Sequence, residues 1–308
     1  MSNVEMPDRN GDAPPTLLRS LLFCPANRPD MTHKLAASAA DAVVLDLEDG
    51  TPAAQQAAGR LELRSAVERL SRESPGIRVF VRTSPLDSEL FAEDLEAALS
   101  CGAEGLVIPK VGSAEQLQAL ERLLAWMERR LEIPPRTIVV GLETAAGVHR
   151  ADSILLASTR VCAVYFGAED FASDVGARRS VAGDEVRYAR SRVVIAARLG
   201  GVPAIDQAVL EIRDEARFRA DAEQGRDLGY AGKLCVHPRQ AEVANEVFTP
   251  SPDEIEHSRR LLEAYEASLA EGRATLEYEG QMIDTPLVER ARRSLELAAA
   301  AAAAARRA

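Results

Sequence analysis

The stretch VVGLETAAGV, residues Val139–Val148, joins a buried strand to a helix through a carboxylate. Residues Ile138–Leu142 are apolar except for one glycine, which is typical of a parallel strand covered on both faces. Glu143 follows directly, and a helical pattern begins after Thr144. Because an ionised carboxylate is rarely buried unless it is paired or binds a metal, Glu143 is a candidate site residue. The alternative is that it caps the helix.

A second stretch, VCAVYFGAED, repeats this layout. Its apolar segment Val161–Phe166 predicts a strand, and Gly167, Glu169 and Asp170 follow it. Carboxylates at the ends of two parallel strands meet at the same edge of the sheet, where their oxygens suit a hard divalent cation. The pair therefore favours a metal site over two independent helix caps.

Strand-then-helix units recur along the chain. The predicted strands are Leu17–Phe23, Ala42–Leu47, Arg78–Val81, Gly105–Ile108, Ile138–Leu142, Val161–Phe166, Val202–Ile205 and Lys233–Val236. Helical patterns between them include Asp30–Ala40, Pro52–Ser71, Glu89–Ser100, Ser113–Leu131, Asp184–Leu199, Asp214–Leu228 and Gln240–Val247. This alternation predicts an α/β fold, a (β/α)8 TIM barrel of parallel strands. An open doubly wound sheet is disfavoured because no glycine-rich phosphate motif follows the first strand.

Changes in composition divide the chain into four regions. Residues 1–15 are polar, with Pro, Gly and Asp, and predict a flexible N-terminal tail without a signal-peptide core. The barrel is expected in residues 16–250. Residues 251–300 predict a helical lid or subunit-exchange segment, because they are too few for an independent core. The Ala-rich residues 301–308 predict a frayed tail.

Composition and charge restrict the classes of partner. The chain has 308 residues, 46% of them hydrophobic, with a formal net charge of -11 and a pI of about 5.1. This acidity argues against nucleic acid and anionic membrane surfaces as partners, so that an anionic ligand needs a local basic patch. The four cysteines are scattered, without metal-binding spacing, which favours a reducing, cytoplasmic setting.

Charged and polar residues stand at the carboxyl ends of the predicted strands, where barrel enzymes place their active sites. These residues are Asn27, Arg28, Asp46, Glu48, Arg82, Lys110, Glu143, Asp170, Asp206 and His237. Anionic and cationic groups occur together in this set. The mixture suits a metal ion and an anionic substrate held side by side.

Several of these motifs resemble those of a known family. The motifs are FCPANRPDM, VVLDLEDG, VFVR, VIPKV, GLETAAGV, FGAEDFASDVGARRS, AID, GKLCVHPRQ and GQMIDTPLVERAR. In this order they resemble the citrate lyase β-subunit family of the HpcH/HpaI aldolase superfamily, which includes citryl-CoA, citramalyl-CoA and malyl-CoA lyases. The resemblance runs from about Leu17 to Leu297, and GLETAAGV with GAEDFASDVG is its most specific part.

The resemblance implies a magnesium-dependent barrel enzyme, usually a homotrimer or a dimer of trimers. Its members cleave or form a carbon–carbon bond next to a CoA thioester, with acetyl-CoA or a homologue and a 2-oxo acid as products. Glu143 and Asp170 match the family's metal ligands, and Glu143 also lies at the substrate. Mg²⁺ takes few carboxylates and keeps positions for water and substrate.

The resemblance also assigns residues to the substrate. Arg82 matches the arginine that binds substrate, with a structural ion pair as the alternative, and its fork suits a carboxylate or an enolate oxygen. By analogy Glu48 orients Arg82 or a metal-bound water. For Asp46 a salt bridge at the barrel top is nearly as good an interpretation.

The remaining expected contacts concern the acyl group and CoA. Asp284 matches the lid aspartate that acts as general acid or base from a neighbouring subunit. Without the resemblance, Asp284 is an ordinary turn or capping residue. Arg28, Lys34 and Lys110 are expected at the CoA phosphates, although Lys34 fits a solvated surface lysine equally well.

Two departures from the family pattern bear on specificity. Ser84 stands where the family often has Asn, and Ser173–Asp174 stands where true citrate lyase β-subunits commonly carry a basic residue. The second departure favours a stand-alone lyase acting on free CoA esters. The alternatives are a malyl-CoA-type thioesterase, an aldolase that does not use CoA, and a non-catalytic subunit of a larger complex.

Overall fold

Parallel strands close into a barrel in the first of two compact units of the chain. The computed structural model describes residues 17–305, and the first unit covers Leu18–Phe248. Each strand pairs with its sequence neighbours and the last pairs with the first, which confirms the predicted barrel. The strands are β1 Ser20–Pro25, β2 Ala42–Asp46, β3 Arg78–Arg82, β4 Gly105–Ile108, β5 Thr137–Leu142, β6 Val161–Phe166, β7 Ala204–Asp206 and β8 Gly232–Cys235.

Helices connect these strands. They are α1 Pro29–Thr32, α2 Gln56–Glu73, α3 Phe91–Ser100, α4 Ala114–Leu131, α5 Ala145–His149, α6 Ala151–Leu156, α7 Ala168–Asp174, α8 Arg187–Gly200, α9 Glu215–Leu228 and α10 Pro238–Val247. Local sequence explains where α4 begins, because Ser113 and Gln116 form a capping box there. Thr144 caps α5 by accepting a hydrogen bond from the backbone N–H of Gly147.

Side chains that alternate along the strands fill the barrel interior. The buried interior cluster includes Leu21, Ala42, Val44, Phe80, Val107, Val139, Ala163, Tyr165, Ile205 and Leu234. Two positions further along their strands, the same alternation turns Asp46 and Arg82 inward, and these residues are paired in the β2–β3 register. The carboxyl end of the interior is therefore polar, whereas its middle is apolar.

The first predicted helix, Asp30–Ala40, is wrong. The segment contains only α1 and a short 3-10 helix at Leu35–Ala37. At Ser38 the backbone is extended, and the Ser38 hydroxyl donates to the carbonyl of Leu35. Serine competes for backbone groups in this way, which ends the helical turn.

The second unit includes Thr249 onward and is helical with one hairpin. Its elements are α11 Pro252–Ala270, β9 Leu276–Tyr278, β10 Gln281–Ile283 and α12 Thr285–Ala305. A small core of its own holds Leu261, Tyr265, Ile283, Val288 and Ala291. The hairpin was not predicted, and α12 continues into the expected Ala-rich tail. The predicted tail of residues 1–15 lies outside the described residues.

None of the helices between residues 17 and 305 is both long enough and apolar enough to cross a bilayer.

Asp206 does not face the barrel mouth as the sequence suggested. Ile205 points into the barrel, so the next side chain points outward, where Asp206 is fully buried. Its carboxylate lies 2.7 Å from Arg190 Nη2 and 2.9 Å from Lys233 Nζ. Together with Asp221 of α9, which pairs with both cations, these residues form an ion cluster between the strands and the helices α8 and α9.

We expect Asp206→Asn to lower the free energy of unfolding by about 3 kcal/mol, because Arg190 and Lys233 lose their fully buried counter-ion and keep only the partly exposed Asp221. Urea denaturation measures this loss. The control is Asp152→Asn, which breaks the more exposed ion pair with Arg192 and should cost about 1 kcal/mol or less. Equal costs for the two variants would contradict the importance of the buried cluster.

Candidate active site

Glu143 lies at the end of β5 with only 2% of its surface exposed. Its Oε1 accepts a 2.5 Å hydrogen bond from the Tyr165 hydroxyl and a 3.1 Å bond from the backbone N–H of Lys110. Gly141 and Gly167 flank the carboxylate so closely that a Cβ on either would collide with it. The glycines of GLETAAGV and FGAED thus make room for this side chain.

Burial also sets the protonation of Glu143. Loss of solvent, followed by the nearby charge of Glu48, raises the pKa of Glu143 to about 8. Burial likewise raises the pKa of Glu48 to about 6, although Arg82 and Lys110 oppose the shift. Loss of solvent holds the pKa of Tyr165 well above its ordinary value, so its hydroxyl remains a donor.

Lys110 connects two acidic groups at the barrel mouth. Its Nζ lies 2.7 Å from Glu48 and 3.2 Å from Asp170. The backbone of Lys110 is left-handed, with φ at 54°, which is uncommon for a residue other than glycine. The lysine predicted at the CoA phosphates is therefore held among the carboxylates.

Arg82 is fixed by acceptors on two sides. Asp46 accepts from its Nε and Nη2, both at 2.7 Å, while Glu48 lies 2.7 Å from Nη1. The guanidinium also lies over the ring of Phe23, 4.9 Å from the ring centre. Asp46 additionally accepts from the backbone N–H groups of Glu48 and Gly50, so it orients Arg82 and its own loop.

The residues present fit a divalent cation. Glu143 is a buried carboxylate that accepts from the backbone of Lys110, and the ammonium of the same lysine lies 3.2 Å from Asp170. Loss of solvent, with smaller contributions from Glu48 and Asp170, raises the pKa of Glu143. Carboxylate oxygens are ligands that Mg²⁺ accepts, with water or substrate completing the set. Within residues 17–305, no group of three or more His, Cys, Asp or Glu side chains is arranged as a complete metal cage. Such a two-carboxylate set leaves positions for substrate.

Other residues named from the sequence lie outside this cluster. Arg28 is exposed, and its guanidinium makes two 2.9 Å hydrogen bonds to Asp30. Lys34 is exposed at the start of the 3-10 helix. His237 caps α10, where its Nδ1 accepts from the backbone N–H of Arg239.

Asp284 belongs to the second unit, between β10 and α12. Its side chain is half-buried, and its carbonyl accepts hydrogen bonds from the backbone N–H groups of Leu287 and Val288. By itself this position is that of a residue starting a helix.

Sequence reasoning missed Tyr165 and Phe23 as parts of the site. In the sequence, both look like ordinary apolar strand residues. Strand alternation carries the missed signal, because Tyr165 follows the interior residue Ala163 by two positions and lies beside Gly141 in the β5–β6 register. Ser84, which stands where the family often has Asn, donates its hydroxyl to Asp94 on α3.

We expect Glu143→Gln to be more stable than the unmodified protein at pH 8 in the presence of a chelator. The ordinary pKa of this carboxyl is 4.5 and the folded value is about 8, so the folded state loses stability as the pH rises between them. Urea denaturation at pH 8 should show a gain of about 1 kcal/mol or more, and at pH 5 the gain should shrink. A pH-independent difference would contradict this origin of the effect.

Comparison with known proteins identifies the family of the chain. Residues 19–238 match the HpcH/HpaI aldolase/citrate lyase family. A citrate lyase subunit beta-like protein of Deinococcus radiodurans is 45% identical, covering 91% of this chain and 97% of its own. An L-malyl-CoA/beta-methylmalyl-CoA lyase of Cereibacter sphaeroides is 33% identical, covering 89% of this chain and 92% of its own.

A solved structure shares both the fold and the sequence pattern. The CitE protein of Mycobacterium tuberculosis, crystallised with magnesium, acetoacetate and coenzyme A, superposes with a TM-score of 0.76 at 32% identity. The match covers 91% of this chain and 97% of that one. The chain belongs to the HpcH/HpaI aldolase/citrate lyase family.

Proposed function

We propose that this chain is a Mg²⁺-dependent carbon–carbon lyase. It cleaves or forms a 3-hydroxyacyl-CoA of the citramalyl-, malyl- or citryl-CoA type, with acetyl-CoA or a homologue and a 2-oxo acid as products. The observation that carries the proposal is the buried Glu143 carboxylate, which shares the barrel mouth with Asp170 and the cations Arg82 and Lys110. Relatives named as lyases, and a structural neighbour crystallised with magnesium and coenzyme A, support it.

Glu143 and Asp170 would hold the magnesium ion. Bound there, Mg²⁺ supplies a Lewis acid for the oxygens of the 2-oxo acid. Glu143 contributes a carboxylate whose Oε1 is already hydrogen-bonded by Tyr165 and Lys110. Its position is thus set before any ligand arrives, which reduces the cost of ordering the site.

Arg82 supplies a fixed positive charge to the reacting end of the substrate. Asp46 and Glu48 hold its guanidinium in place, and Phe23 supports one face. A planar, pre-oriented cation favours a carboxylate or an enolate oxygen without reorganising during the reaction. Glu48 orients Arg82 in this scheme and acts through it.

Asp284 is the proposed acid and base at the acyl-CoA carbon. In cleavage, the 3-hydroxyl gives its proton to water, and its oxygen becomes the carbonyl of the 2-oxo acid as the carbon–carbon bond breaks. The electron pair of that bond leaves on the acyl-CoA as an enolate, and Asp284 gives a proton to its carbon. In synthesis, Asp284 removes that proton. Delivery of Asp284 from a neighbouring subunit of a homotrimer is part of the proposal, because it lies in the separate C-terminal unit.

CoA phosphates are proposed to contact exposed basic groups near β1. Arg28 and Lys34 are on the surface there, where incoming phosphates can reach them. Arg28 would exchange Asp30 for phosphate. Lys110 is the third residue proposed for the CoA phosphates, and its ammonium also pairs with Glu48 and Asp170.

The test is a panel of 3-hydroxyacyl-CoA esters incubated with the protein and Mg²⁺. We expect release of a 2-oxo acid together with an acyl-CoA from at least one ester, and loss of the reaction in a chelator. Release of free CoA without 2-oxo acid would support thioester hydrolysis instead. Turnover of a hydroxy-oxo acid that lacks CoA would support the aldolase alternative.

Variants separate metal binding from proton transfer. Glu143→Ala and Asp170→Ala should each lose both Mg²⁺ binding and turnover. Asp284→Asn should reduce kcat by about 10²–10⁴-fold while Mg²⁺ binding, measured by calorimetry, stays unchanged.

The matched control is Asp253→Asn, the same chemical change at an exposed position of α11 in the same unit. It should leave kcat unchanged. Full turnover by Asp284→Asn would remove that residue from the mechanism.

A further inference from the structure

The two oxygens of Glu143 have different surroundings. Oε1 accepts hydrogen bonds from the Tyr165 hydroxyl and from the backbone of Lys110. Within residues 17–305, no backbone or side-chain group donates a hydrogen bond to Oε2. One oxygen is therefore occupied by protein donors, and the other is available to a ligand.

Tyr165 holds this arrangement rigidly. Its side chain is 1% exposed inside the barrel and packs edge-on against Phe23, with ring centres 6.2 Å apart. A Cβ on Gly141 would lie 2.5 Å from both the Tyr165 hydroxyl and Glu143 Oε1, so the three groups are in close contact. Such packing leaves the phenol little room to turn away from Oε1.

We propose that Tyr165 is a positioning residue that restricts Glu143 to binding a metal through one oxygen, and that it thereby favours Mg²⁺ over Ca²⁺. The inference rests on the proposed metal site. Ca²⁺ takes about six to eight oxygens and readily accepts both oxygens of one carboxylate, whereas the small, octahedral Mg²⁺ takes one oxygen from each carboxylate and keeps water. A donor fixed on Oε1 penalises the two-oxygen mode, so it disfavours the larger ion.

The test compares Tyr165→Phe with Tyr230→Phe by titration calorimetry with Mg²⁺ and with Ca²⁺. Tyr230 is a matched control, because it is also buried and its hydroxyl donates to the carbonyl of Arg190, away from the site. In Tyr165→Phe, we expect Mg²⁺ affinity to fall by about tenfold, as loss of an outer hydrogen bond to a metal ligand commonly causes. Ca²⁺ affinity should fall less, because Ca²⁺ gains the second oxygen of Glu143, so the ratio of Mg²⁺ to Ca²⁺ affinity should fall. Tyr230→Phe should keep the ratio.

The outcomes separate this inference from the proposed function. If the unmodified protein binds neither ion, the proposed metal site itself is wrong. If it binds Mg²⁺ and Tyr165→Phe keeps the same ratio as Tyr230→Phe, only the role of Tyr165 is overturned. Should Tyr165→Phe fail to fold, Tyr165→Met must give the same fall in the ratio, and an unchanged ratio overturns the inference equally.

Discussion

The site depends on one costly arrangement, a carboxylate buried at the mouth of a barrel whose middle is apolar. Glu143 loses its water, and nearby carboxylates raise the free energy of its ionised form further. The surrounding structure leaves room for the carboxylate and partly offsets the free-energy cost of burying it. Two glycines omit the side chains that would displace the carboxylate, and Tyr165 and the backbone of Lys110 donate to one of its oxygens. We explain the unfavourable burial of Glu143 by the divalent cation that we propose it binds.

Charges of alternating sign form a series of ion pairs across the barrel mouth beside that carboxylate. Asp46 holds Arg82, Arg82 pairs with Glu48, and Glu48 pairs with Lys110, which reaches Asp170. These groups come from β2, β3, the loop after β4 and α7, so the closed barrel is what brings them together. The cluster around Asp206 uses similar side chains outside the barrel, where full pairing leaves nothing for a ligand. Strand alternation decides which of the two roles a charged residue takes.

The barrel and the carboxylate Glu143 could be predicted from the sequence. A buried parallel strand is a continuous apolar segment, and Glu143 directly follows one such segment. Contacts between residues that are distant in the sequence were harder to predict. Tyr165 looks like an ordinary strand residue until the β5–β6 register places it beside Gly141. Lys110 looks like a surface cation, but its left-handed backbone brings its ammonium to Glu48 and Asp170. The β9–β10 hairpin was missed because its strands have only three residues each, too few to show a period.

The central claim is that Glu143 and Asp170 bind the same divalent cation. Crystals of the protein soaked in Mn²⁺, a hard cation whose anomalous scattering identifies it, provide the most direct measurement. The account predicts one anomalous peak at the barrel mouth, about 2.0–2.3 Å from an oxygen of each carboxylate. A peak that contacts only one of the two residues, or none at this end of the barrel, would contradict it.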